Sequence, residues 1–207
     1  MPVDVRKSYA FPSSILTFVA TPRLRKVMRI SRDTPCYYLT SVAKDRLPVF
    51  QTDKIKQIVC DALGEACKSG GIMIFAYVIM HDHSHLITDS ARSIADVLRF
   101  TNGIAAKRVL DYLKENNFES SLAKLREQQK GRNHKYSLWQ HHPNAFSIVG
   151  EDTMMQKVNY IHQNPVRAGL VERAEDYRFS SVRLWRGSLL DDEPFVTDHK
   201  QIDWRAA

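Results

Sequence analysis

Two histidines one residue apart, His83 and His85, lie in the stretch Ile79-Met80-His81-Asp82-His83-Ser84-His85-Leu86-Ile87-Thr88-Asp89. Side chains alternate across an extended strand, so both imidazoles fall on one face and Ser84 and Leu86 on the other. Two imidazoles side by side on a rigid element make half of a metal site. A plain surface pair of histidines accounts for the same residues without a ligand. A second cluster follows in Met154-Met155-Gln156-Lys157-Val158-Asn159-Tyr160-Ile161-His162-Gln163-Asn164-Pro165. Tyr160 and Asn164 are four apart and share a face if the segment is helical. Asn164 offers an amide oxygen to a metal. Tyr160 offers a phenol that becomes a nucleophile once its proton is removed. Together the four side chains suit phosphoryl transfer, in which a metal polarises phosphorus and the tyrosine attacks in line. From spacing alone, a tyrosine here is more often a packing residue.

These residues need rigid elements to hold them. The apolar run Ile72-Met73-Ile74-Phe75-Ala76-Tyr77-Val78 after Gly70-Gly71 reads as a buried central strand, with Ser84 to Thr88 as its neighbour. Cys36 to Val42 reads as the first strand. Between Asp53 and Lys68, Ile55, Ile58, Val59, Ala62, Leu63 and Ala66 recur at helical spacing, with Thr52 or Asp53 as N-cap and Gly70-Gly71 as the stop. Ser93 and Asp96 have capping-box spacing and open a helix expected to reach Glu115. Its polar face carries Arg99, Lys107 and Arg108, which suit a DNA groove or a solvated surface equally. A short helix is expected over Leu122 to Gln129, a last strand region over residues 136–149, and a helix from about Asp152 that Pro165 stops at Asn164. His162 is expected at the surface or facing DNA, and Asp89 is a candidate to support a histidine from behind. The element order predicts a small α/β or α+β sheet with helices packed on one face.

The chain has 207 residues and a net charge of +7. Residues 1–32 hold Arg6, Lys7, Arg23, Arg25, Lys26, Arg29 and Arg32 against Asp4 alone, so the excess charge sits in an N-terminal arm. Arg23, Arg25, Lys26, Arg29 and Arg32 are therefore candidate contacts to a polyanion, most simply nucleic acid. The arm, residues 1–31, is expected to be a disordered segment or to precede a native start at Met28. No apolar run is long enough for a membrane span and no secretory signal is visible, which predicts a cytoplasmic protein without a membrane partner. Cys36, Cys60 and Cys67 fit no zinc spacing and read as reduced core thiols.

The block His83-Ser84-His85, preceded by Tyr77-Val78-Ile79-Met80, resembles the HUH motif of single-tyrosine transposases. Tyr160-Ile161-His162-Gln163-Asn164-Pro165-Val166-Arg167-Ala168-Gly169-Leu170-Val171 resembles the helix that carries their nucleophile. Trp139-Gln140 and Glu175-Asp176-Tyr177-Arg178-Phe179-Ser180-Ser181 place the resemblance with the REP-associated tyrosine transposases of the IS200-like family. It covers about residues 32–185 and leaves 186–207 as a tail. The resemblance implies a ferredoxin-like HUH fold with an antiparallel sheet and the nucleophile on a C-terminal helix. It implies His83, His85 and Asn164 as metal ligands, Tyr160 as nucleophile, and magnesium or manganese as the metal. The ligand types alone favour zinc or manganese. The implied partner is single-stranded or hairpin DNA, bound by a monomer or homodimer associated with a bacterial nucleoid. The implied activity is cleavage and rejoining of that DNA through a 5′-phosphotyrosine.

Two positions depart from the family pattern. Ser84 replaces a bulky apolar residue and should point away from the metal. His81-Asp82 replaces the usual Pro-Asn or Pro-Asp, and His81 either competes as a ligand or sits in the hairpin turn. These departures keep open a catalytically idle DNA-hairpin-binding protein on the same fold. A metal-dependent phosphoesterase that uses water as nucleophile is a third reading.

Overall fold

The structure, a computed structural model, describes residues 27–126, 135–141 and 143–204. Four antiparallel strands, β1 (Cys36–Val42), β2 (Ile74–Ile79), β3 (His83–Asp89) and β4 (Asn144–Ile148), form one sheet in the order β2-β3-β1-β4. Every residue of β2 is buried, which is why it reads as a continuous apolar run rather than an alternating one.

The helix α1 (Asp53–Gly70) starts where the Thr52 hydroxyl accepts from the amide of Ile55. It ends at Gly71, whose left-handed φ of 63° suits a residue without a Cβ. The helix α2 (Ile94–Glu115) opens at the expected Ser93 cap: Ser93 Oγ accepts from the Asp96 amide at 3.1 Å and donates to Asp96 Oδ2 at 2.8 Å. The two helices pack together closely. A Cβ on Gly70 would lie 2.9 Å from Phe100 Cγ, so glycine is what lets α2 approach the end of α1.

Strand register decides which face each helix covers. Ser41 pairs with Ser84, and Ser41 Oγ donates to Asn102 Oδ1 of α2, so α2 covers the Ser84 face. Thr40 and His85 pair on the opposite face, and this is the face crossed by the helix α4 (Glu151–Arg167), so helices cover both faces of the sheet rather than the single face expected. Met154, Val158 and Ile161 of α4 are buried in the core. The helix runs through Pro165 rather than stopping at Asn164. A proline in the last turn forfeits only one amide bond, and the chain end is still tied by Ala168 N to Asn164 O and Leu170 N to Pro165 O.

The remaining segments close the edges. A short α3 (Glu119–Lys124) replaces the longer helix expected over 122–129, whose last three residues lie outside those described. Residues 136–140 form isolated bridges, such as Trp139 with Ala43, instead of a strand. Beyond α4, the chain runs along the β2 edge: Ile79 N donates to Phe179 O and Ser181 N to Tyr77 O, both at 3.0 Å. The helix α5 (Val182–Arg186) follows, and Asp198 N then donates to Ile74 O at 2.7 Å. The tail thus covers an edge that would otherwise invite pairing with another chain. A buried ion pair, Arg183 Nε to Glu193 Oε1 at 2.6 Å and Nη2 to Oε2 at 3.0 Å, holds the tail's turn in place. No described helix is long and apolar enough to cross a membrane.

Candidate active site

β3 presents His83 and His85 on the face opposite α2, with ring centroids 5.0 Å apart and planes at 75°. Each imidazole has a partner on Nδ1. Asp82 Oδ1 accepts from His83 Nδ1 at 2.5 Å, and Arg46 Nη1 donates to Asp82 Oδ2 at 3.0 Å. Arg46 reaches there from a turn in which Asp45 and Arg46 both hold a left-handed φ of 53°, a costly conformation for non-glycine residues. Burial acts to raise the Asp82 pKa, but hydrogen bonds and charge from His83 and Arg46 outweigh it and hold the carboxyl below its usual range. Behind His85, the hydroxyls of Tyr38 and Thr40 both lie 2.9 Å from Nδ1. With the hydrogen on Nδ1, both rings donate backward and keep the Nε2 lone pair for a metal.

Burial lowers the His85 pKa to about 3, with further lowering by His83, Arg167 and Lys157. The ring is therefore neutral at physiological pH, as a ligand must be. Burial likewise pushes the Tyr38 phenol up to about 12 against the opposing hydrogen bond from Thr40, so Tyr38 serves as a neutral support. His81 lies in the turn between β2 and β3.

Tyr160 stands edge-on to His85, with centroids 5.6 Å apart and planes at 78°, and edge-on to Tyr38 at 6.4 Å. It is 39% exposed, open to a substrate. One turn on, Asn164 Nδ2 donates to the Tyr160 carbonyl at 3.2 Å, which leaves Oδ1 as an acceptor. Among the described residues no three histidine, cysteine or carboxylate side chains converge. Two imidazoles are the donors this face offers a metal, and Asn164 Oδ1, one turn beyond Tyr160, is the candidate amide oxygen.

Other expectations fare differently. His162 is buried, with Nε2 2.9 Å from Ser181 Oγ and its ring edge-on to Trp185; it ties α4 to the edge segment and does not face DNA. Asp89 is on the histidine face but four residues beyond His85, where its Oδ1 accepts from the Met73 amide at 3.0 Å; it supports no histidine. Arg99, Lys107 and Arg108 lie on α2, across the sheet from Tyr160. They pair with Asp96, Asp111 and Glu65 respectively. Arg29 pairs with Asp203 at 2.8 Å, fastening residue 28 beside residue 202, and Arg32 is exposed. Arg23, Arg25 and Lys26 lie outside the described residues. Four site residues were missed. Tyr38 and Thr40 come from β1 and reach His85 only through register. Lys157 and Arg167 had a local signal, since 157, 160, 164 and 167 form one helical stripe.

A four-stranded antiparallel sheet with paired histidines on an inner strand and a tyrosine on a following helix defines the HUH class. Residues 34–164 match the profile of the family described as Transposase IS200 like. The chain belongs to the IS200-like transposase family, whose members are tyrosine transposases, enzymes that act on DNA. It is 28% identical over 148 residues to a Haemophilus influenzae protein named as a REP-associated tyrosine transposase, covering 70% of this chain and 78% of that one. A REP-associated tyrosine transposase solved bound to a REP hairpin shares the fold, with a TM-score of 0.54 and 18% identity. That match covers 83% of this chain and 90% of the other. A Deinococcus radiodurans transposase structure matches more loosely, with a TM-score of 0.42 and 23% identity over 63% of this chain and 90% of its own.

Proposed function

We propose that the protein cleaves and rejoins single-stranded DNA at a hairpin through a covalent 5′-phosphotyrosine on Tyr160. His83, His85 and Asn164 would hold magnesium or manganese. The observation that carries this reading is Tyr160 standing edge-on to His85 while both imidazoles are braced from behind at Nδ1. A bound divalent cation supplies charge neutralisation at a phosphate oxygen and polarises phosphorus. Tyr160 Oη then attacks phosphorus and the bond from phosphorus to the 3′-oxygen breaks. The phenolic proton passes to water, and the departing 3′-oxygen takes a proton from solvent. The new bond is itself a phosphate ester of similar energy, so a 3′-hydroxyl can reverse the step and join strands without another energy source. The hairpin as partner is supported by the related transposase solved with a REP hairpin. Tyr160 meets His85 within a single chain, which supports a site that one copy can assemble, as a monomer or in a homodimer.

The test is labelled hairpin oligonucleotide incubated with protein and manganese or magnesium, resolved on a denaturing gel. A slow, protease-sensitive band that is lost with EDTA and in Tyr160→Phe is expected. Cleavage without that band would assign the attack to water. Tight binding with neither product would leave an idle hairpin-binding protein.

A further inference from the structure

Beside Tyr160 lie two cations that no carboxylate among the described residues pairs with. Lys157 Nζ sits 5.7 Å from the Tyr160 ring centroid, 5.3 Å from that of Tyr38 and 5.0 Å from that of Phe146. Arg167 Cζ is 4.2 Å from the Tyr160 centroid, and its Nη2 donates to the Tyr160 carbonyl at 2.7 Å. Among the described residues neither makes an ion pair. Several cations elsewhere on the molecule have a carboxylate partner: Arg99 with Asp96, Arg108 with Glu65, Arg173 with Asp176 and Arg178 with Asp192. Ring faces attract a cation without consuming its N–H donors. Lys157 therefore keeps its donors available, held in place by rings rather than by a counter-ion. Two uncompensated charges on one stripe of α4, flanking an exposed phenol, form a site for an anion.

We infer that Lys157 and Arg167 are catalytic residues that clamp the non-bridging oxygens of the phosphodiester under attack by Tyr160. This rests on Tyr160 as the nucleophile. Charge spreads over those oxygens as the attack proceeds, and donors already in place stabilise it without reorganisation. The clamp serves both directions, because cleavage and rejoining pass through the same phosphorus geometry. Lys157 is the stronger test of the two, since Arg167 spends one donor on the backbone.

Lys157→Met keeps an apolar stem over the rings and removes the charge. Single-turnover adduct formation is expected to fall about 100-fold, the scale seen when one transition-state donor is lost. Lys157→Arg should restore most of it, and the urea midpoint of both variants should match the wild type. The second arm needs no chemistry. In a Tyr160→Phe background, Lys157→Met should weaken binding of a phosphodiester hairpin roughly tenfold, as for loss of a charged hydrogen bond. It should leave unchanged the binding of the same hairpin with a neutral methylphosphonate at the cleaved position. Equal losses on both hairpins, or wild-type adduct rates in Lys157→Met, would overturn the clamp. A wild type that forms no Tyr160-dependent adduct would sink the covalent reading, while the binding arm still decides whether Lys157 contacts the phosphate.

Discussion

In the proposed metal site, Asp82 sets how firmly His83 holds the ion, and Asp82→Ala measures it. The carboxylate accepts from His83 Nδ1 at 2.5 Å and is itself held by Arg46 at 3.0 Å. Its side chain is only 23% exposed, so solvent screens the contact little. A charge-assisted hydrogen bond of this kind contributes about 1.5–3 kcal/mol. Its loss frees the ring to rotate and to place its hydrogen on Nε2, the nitrogen a metal needs. Most of that energy should appear as metal affinity, a loss of roughly 10–100-fold, the range found for partners behind a ligating histidine. Asp82→Asn keeps an acceptor without the charge and should fall between. Manganese binding by calorimetry or electron paramagnetic resonance reads the effect without DNA. Nuclear magnetic resonance of the His83 ring nitrogens should show the hydrogen leaving Nδ1 in Asp82→Ala. Affinity within twofold of wild type, with the His83 tautomer unchanged, would refute the reasoning. Arg46→Ala should cost far less, because Arg46 is 67% exposed and acts only through Asp82.

Three further outcomes follow from burial. His162 is neutral in the fold, with its pKa lowered to about 3 by burial and by Arg186 and His199. An unfolded histidine titrates near 6.5, so its contribution is fully present above that pH and is lost as pH falls toward 3. Between pH 7 and 4.5, His162→Gln should lose about 2–3 kcal/mol less urea stability than wild type, and parallel profiles would contradict this. Arg183→Met should destabilise by about 3–5 kcal/mol in urea, because it leaves Glu193, only 2% exposed, as an unpaired buried charge. Burial, with Asp89 nearby, pushes the Cys36 thiol up to about 12 and also raises that of Cys60. At pH 8 a thiol reagent should modify neither until denaturant is added, and fast labelling of either would show that the core opens.

The chemistry was legible in the sequence wherever covalent spacing sets geometry. Alternation along a strand places His83 and His85 on one face whatever surrounds them, and a helical turn does the same for Tyr160 and Asn164. Local hydrogen bonding likewise made the Thr52 and Ser93 caps and the Gly71 stop readable, because each involves groups within four residues. The Pro165 stop failed because local propensity is weak near a helix end, where one missing bond costs little.

Tertiary structure alone decided what meets across the sheet. Periodicity states which side chains share a face, but not which helix covers that face. The basic residues of α2 therefore carried no sign that they lie across the sheet from Tyr160. Tyr38 and Thr40 support His85 from more than forty positions away, and only the pairing of β1 with β3 brings them there. His162 is polar yet buried, because residues 180–185 fold back along the β2 edge and enclose it. A strand edge must be satisfied by some backbone, and which segment supplies it depends on the path of the whole chain.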